Sequence, residues 1–217
     1  MLAQRLICGF YGECEVRDAL SLGTSVLSRR HFFYNSRAAC AMTVDEHHSS
    51  VFSVAFHPTA PLLATGSYGR DSTVKLCLLS SDNLSATCVA TLEGHSYSVR
   101  SVAFHPTAPL LATGSDDNTA KLWRLSSNNS SAKCVATLKG HSDSVNFVVF
   151  HPTAPLLATG SDDKTVRLWL LSCDNSSAAC VALAGHSDYV FSVAFHPTAP
   201  LLATGSCDKT HFVRLWR

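Results

Sequence analysis

Eleven histidines and nine cysteines in 217 residues invite a search for metal or nucleophile chemistry. Four histidines, His57, His105, His151 and His196, each precede a proline, at spacings of 48, 46 and 45 residues. A ring of imidazoles can bind a metal ion. Zinc, however, needs its ligands within about 2 Å, and one histidine per repeat spreads them too widely, so exposed turn histidines are the expectation. Cys40, Cys88, Cys134 and Cys180 recur inside the runs CAMTV, CVATL, CVATL and CVAL. No C-x-x-C pair is present, which removes the usual zinc and thioredoxin spacings. These cysteines read as small buried hydrophobes, and no disulfide framework is expected. Asn83, Asn128, Asn129 and Asn175 match N-x-[ST], and a duplicated Ser/Asn turn produces such matches automatically. With no phosphate-cradling Gly-rich loop and no single-copy nucleophile motif, the sequence implies no catalytic residue, metal or cofactor.

The elements behind these residues come from a repeat. The string HPTAPLLATGS occurs four times unchanged, starting at His57, His105, His151 and His196. Self-similarity at this period marks a stacked or radial array. Each unit reads as four short strands, best seen in the second. Ser98 to Phe104 alternates, and HPTAP turns the chain because its two prolines cannot sit in a central ladder. Leu110 to Gly114 is the next strand and Ser115 to Asn118 a tight turn. Thr119 to Leu125 is the third strand, and the polar SSNNSS leads to a fourth at about Ala132 to Leu138. No segment keeps a helical apolar period over ten residues. The fold class is all-β, with blades of four antiparallel strands.

Composition sorts the remaining classes. With 46% hydrophobic residues and a formal net charge of +1, the chain can build a core and lacks the basic excess of a nucleic-acid binder. No apolar run approaches the roughly 20 residues that span a bilayer. The short patch Leu6 to Phe10, followed by acids, is no secretory signal. The expectation is a soluble intracellular protein, cytoplasmic or nuclear, that binds neither nucleic acid nor membrane.

Gly-His near the start of a unit, then Thr-Gly, an Asp turn and a strand ending in Trp, resembles the WD-repeat signature. Three units carry it: Gly94-His95 with Trp123, Gly140-His141 with Trp169, and Gly185-His186 with Trp216. The first has Glu46-His47 and Cys77 in the matching places. The Asp that usually follows Trp is replaced by Arg124, Leu170 and Arg217. The resemblance implies a β-propeller and a buried hydrogen-bonded set in each blade. Carried over by position, the sets are His95, Thr113, Asp117 and Trp123; His141, Thr159, Asp163 and Trp169; and His186, Thr204, Asp208 and Trp216. The first unit supplies His47, Thr65 and Asp71. A His–Thr–Asp set can be mistaken for a hydrolytic triad, but a triad is assembled once, around one exposed nucleophile. A set repeated in every blade is structural.

Two units carry two extra residues, around Tyr68 to Arg70 and at His211-Phe212, which should bulge a strand or lengthen a turn. The array spans 38–217 as four blades. An incomplete ring or arc is expected; the alternative is a closed four-blade ring in which Ala38 to Val44 completes the last blade. Residues 1–37 are unassigned, and Arg29 to Arg37 matches the end of a unit as an eroded blade would.

In near-identical repeats, the positions that differ are the ones able to confer specificity. These are Phe52, Tyr97, Arg100, Asp116, Asn146, Asp162, Tyr189 and Phe191, which the resemblance puts on one propeller rim. Aromatic residues and Arg at a rim bring contact area and directional donors. The function expected is a non-catalytic scaffold or adaptor that holds a protein or peptide partner there, with self-association through open blade edges. Two alternatives stand beside it: a sugar-binding propeller, and a fragment of a longer WD-repeat protein without independent function.

Overall fold

The computed structural model describes residues 40, 42–44, 47–82, 85–208 and 213–217, and the backbone of two short strands before them. The chain divides into two units, Met1–Ala41 and Met42–Arg217. In the first, β1 (Leu6–Cys8) pairs antiparallel with β2 (Cys14–Val16). Arg29 to Arg37, read above as an eroded blade, lies outside the described residues.

Among the described residues, the second unit is all β apart from one 3-10 turn. Its first sheet is β3 (Val51–Phe56), β4 (Leu62–Ser67), β5 (Val74–Leu79) and β6 (Ala86–Leu92). The second is β7 (Val99–Phe104), β8 (Leu110–Ser115), β9 (Thr119–Leu125) and β10 (Ala132–Lys139). The third is β11 (Val145–Phe150), β12 (Leu156–Ser161), β13 (Thr165–Leu171) and β14 (Ala178–Ala184). The fourth holds β15 (Val190–Phe195), β16 (Leu202–Ser206) and β17 (Arg214–Trp216). Strands neighbour one another in sequence order, and every pairing is antiparallel. The first extra pair of residues forms the 3-10 turn Gly69–Asp71 between β4 and β5. The second falls at residues outside the described set, as do three of the residues from Ala38 to Val44; Met42 to Val44 carry no strand.

The core lies between sheets, because a blade has two apolar faces and cannot bury both alone. One cluster joins Leu62, Val74 and Leu76 of the first sheet to Val99, Val102 and Leu111 of the second. Another joins Leu110 and Leu122 to Val145, Val148 and Leu157. A third joins Ala158 and Val166 to Val190, Val193 and Leu202. Each buried Val or Leu contributes about 1.5–3 kcal/mol. The opening strand of each blade packs on the first two strands of the blade before it: β7 on β3 and β4, β11 on β7 and β8, β15 on β11 and β12. No comparable packing joins the fourth sheet to the first among the described residues, so the array is an incomplete propeller.

Glycine in the repeated Thr-Gly-Ser makes that packing possible. A Cβ on Gly66 would lie 2.8 Å from Val99 Cγ1, one on Gly114 2.8 Å from Val145 Cγ1, and one on Gly160 2.9 Å from Val190 Cγ1. Only a residue without a side chain admits the next blade this closely.

Two expectations need correction. Cys134 and Cys180 are exposed and Cys88 half-buried, not core. They sit on the outermost strand of each blade, which has a neighbour on one side only. The proline-linked histidines are also more than exposed turn residues. His57, His105 and His151 are half-buried, with rings edge-on to Phe104, Phe150 and Phe195 of the following blade at 5.0, 4.9 and 4.8 Å. Only His196 is exposed. Their Nδ1 atoms accept backbone N–H groups inside the turn, as His105 does from Thr107 and Ala108. The Ser/Asn loops are turns, with Asn129 and Asn175 left-handed at φ 56° and 57°.

Candidate functional site

In each of the last three blades the four residues of the set are joined by hydrogen bonds. In the third blade, Trp169 Nε1–H donates to Thr159 Oγ1 at 3.0 Å, and that oxygen lies 2.7 Å from His141 Nε2. His141 Nδ1 is 2.7 Å from Asp163 Oδ2. Since the indole can only donate and the carboxylate only accept, a neutral imidazole with its proton on Nδ1 satisfies every member. Burial depresses the basicity of His141 against the opposing pull of Asp163, which favours the neutral ring. Asp163 Oδ1 also accepts from Thr165 Oγ1 and its backbone N–H. Burial alone would raise the Asp117 and Asp163 carboxyls; hydrogen bonds from His95, Thr119, Thr165 and His141 outweigh it and hold both below the usual carboxylate range.

The same bonds recur in the other blades. His95 lies 2.7 Å from both Thr113 and Asp117, and Trp123 bonds Thr113. His186 lies 2.7 Å from Thr204 and 2.8 Å from Asp208, and Trp216 bonds Thr204. In the first blade His47 bridges Thr65 and Asp71, while Cys77 is fully buried at the tryptophan position. The indole explains the glycine before each of the other histidines. A Cβ on Gly94, Gly140 or Gly185 would lie 3.1–3.2 Å from the tip of Trp123, Trp169 or Trp216. Where Cys77 replaces Trp, that position is Glu46 in the sequence. Threonine, histidine and aspartate are thus committed to one another, and all three hydroxyls, Thr113, Thr159 and Thr204, are buried.

These sets hold two loops side by side. Ser115, Ser161 and Ser206 donate through Oγ to the carbonyls of Tyr97, Asp143 and Asp188. The N–H groups of Asp116, Asp162 and Cys207 reach the carbonyls of Ser98, Ser144 and Tyr189. The loop after each histidine is thereby stitched to the turn before each structural aspartate.

The opening strands add a feature that periodicity does not reveal. The ladder slips one residue at Phe52, Arg100, Asn146 and Phe191, four equivalent β-bulges. A bulge re-aims its side chain, and these are the variable strand positions. Each faces the turn residue of its own blade or its loop. Phe52 stacks on Tyr68 with centroids 4.7 Å apart. Arg100 Nε donates to Asp116. Asn146 Nδ2 donates to Asp162 Oδ1 at 2.6 Å and to the Val190 carbonyl at 3.1 Å. Phe191 meets Tyr189 edge-on at 6.2 Å.

The eight variable residues therefore divide into two kinds. Arg100 pairs with Asp116 and Asn146 Nδ2 with Asp162, and Asn146 is only 7% exposed. Phe52, Tyr97, Tyr189 and Phe191 offer aromatic surface to solvent, Tyr97 most at 63%. Tyr68 belongs with them; its place after Thr-Gly-Ser is the signal that could have found it, because it aligns with Asp116 and Asp162. Among the described residues no group of three His, Cys, Asp or Glu side chains is placed to hold a metal ion. No helix among them is long and apolar enough to cross a membrane.

The model of the WD domain, G-beta repeat, matches this chain four times, at residues 38–77, 86–124, 132–169 and 178–216, well over half its length. A search of curated proteins returned no match.

Proposed function

From membership of the WD-repeat family, whose repeats generally mediate contacts between proteins, we propose that this chain is a non-catalytic scaffold in the cytoplasm. Its rim captures a protein or peptide segment. The observation that carries this reading is the row of four bulges, at which a repeated framework re-aims Phe52, Arg100, Asn146 and Phe191 beside the exposed Tyr97 and Tyr189. Exposed Tyr97, Tyr189 and Phe191 are the anchors, because rigid aromatic rings bring large contact area at low entropic cost. Arg100 with Asp116 and Asn146 with Asp162 shape the surface between them. A peptide of extended backbone with apolar side chains suits such a surface.

The test is selection of phage-displayed random peptides on the folded array, followed by titration of the enriched peptide against variants. Tyr97→Ala and Phe191→Ala are each expected to weaken binding at least tenfold with an unchanged melting temperature. Binding that survives both together refutes the rim assignment.

A further inference from the structure

The blade-to-blade junction is built from three pairings, and each is left half-made at the two ends of the array. The first is a valine knob in a glycine socket. Val99 and Val102 close on Gly66, Val145 and Val148 on Gly114, and Val190 and Val193 on Gly160. The counterparts Val51 and Val54 are 47% and 63% exposed, against 0–6% for the seated valines. Gly205, the fourth socket, is open: a Cβ there would meet only Ser192 Cβ, at 3.7 Å.

The second pairing sets a proline-linked histidine against the phenylalanine of the next blade, as in His57 with Phe104 and His151 with Phe195. Among the described residues His196 has no such ring beside it, and Phe56, the matching phenylalanine, is 68% exposed. The third, made at two of the three junctions, is a serine hydroxyl that accepts an N–H of the next opening strand; the third blade has Phe147 in the serine's place. Ser53 accepts from Val102 at 3.0 Å and Ser101 from Val148 at 3.2 Å. The counterparts are Ser192, exposed on the last blade, and the N–H of Val54 on the first.

Knob, ring and donor stand on the first blade; socket, imidazole and acceptor stand on the last. We propose that a second copy of this chain docks head to tail, its first blade seated on the fourth blade of its neighbour as β7 is seated on β3 and β4. The occupant is a second copy because the two exposed faces carry both halves of the valine–glycine and histidine–phenylalanine pairings seen at all three internal junctions, and of the serine pairing seen at two of them. A heterologous contact of this kind closes when its rotation allows. Two reciprocal junctions join two four-blade arcs into a ring of about eight blades, within the range propellers adopt.

Light scattering during size exclusion tests the full chain. The expected mass is twice the 23.3 kDa of one copy. Gly205→Val fills the socket with its Cβ in ordinary contact with Ser192 at 3.7 Å, so it should yield a folded monomer with unchanged circular dichroism. Val54→Asp should do the same from the other side. An equimolar mixture of the two variants should regain a dimer through the one junction whose halves are both intact. Three results overturn the proposal: a wild-type monomer at all concentrations, a Gly205→Val dimer, or variants that fail to complement each other.

Discussion

Replacing Thr113 by Val tests whether the buried sets hold the blades together. The two side chains are nearly the same size, so packing is preserved and only the hydroxyl is lost. That hydroxyl is fully buried and lies 2.9 Å from Trp123 Nε1 and 2.7 Å from His95 Nε2. Its removal strands an indole N–H and an imidazole nitrogen in a buried site. Each orphaned group costs about 1–3 kcal/mol, so the total is about 2–6 kcal/mol. For a chain of this size each kcal/mol lowers Tm by roughly 2–4 °C, which predicts a fall of roughly 4–24 °C. Thr113→Ser keeps the hydroxyl and deletes one buried methyl, at about 0.8 kcal/mol. Urea and thermal unfolding followed by circular dichroism measure both. A Thr113→Val protein within about 0.5 kcal/mol of the parent, or a serine variant as damaged as the valine one, would show that the network is ornamental.

Acid should act in two stages. His57, His105 and His141 titrate below their ordinary 6.5 in the fold, so the unfolded chain binds more protons as pH falls through that value. Tm is expected to hold above pH 6.5 and to decline below it. A steeper loss should follow below the ordinary 3.8 of Asp71, Asp117 and Asp163, whose folded carboxyls are depressed. A Tm that stays flat from pH 7 to 5 contradicts the histidine part. Gly114→Ala forces a methyl to within 2.8 Å of Val145 and should cost about 1–3 kcal/mol, whereas Gly205→Ala should be neutral by the same melting assay. Asn146→Ala removes a donor from Asp162 and from the Val190 carbonyl and should lower stability by about 1–3 kcal/mol. Tyr97→Ala, at an exposed site, should stay within about 0.5 kcal/mol; chemical denaturation that ranks the two the other way would contradict the buried placement of Asn146.

Strand order and strand limits were legible from residue order alone. Thr119–Leu125 is a strand in both readings, and Ala132 to Leu138 is lengthened by one residue to Lys139. Prolines and an Asp turn punctuate each unit, and a local rule suffices wherever the determinant is local. The His–Thr–Asp–Trp sets were legible through family resemblance, because a motif kept in register four times places its members alike. The rim was legible only as a set of differing letters. That Arg100 and Asp116 bind each other while Tyr97 stands free depends on a bulge, which is a relation between two strands and leaves no mark in either one.

Burial was the tertiary decision. Val51 and Val99 occupy the same place in their repeats, yet one is 47% exposed and the other 0%. Cys134 sits in an apolar run and still faces solvent, since its strand is the outer edge of its blade. Alternation along a strand assigns residues to a face, but whether that face is covered depends on the neighbouring blade. The repeat therefore determined what each blade is, and the stacking of blades determined which of its faces remained open.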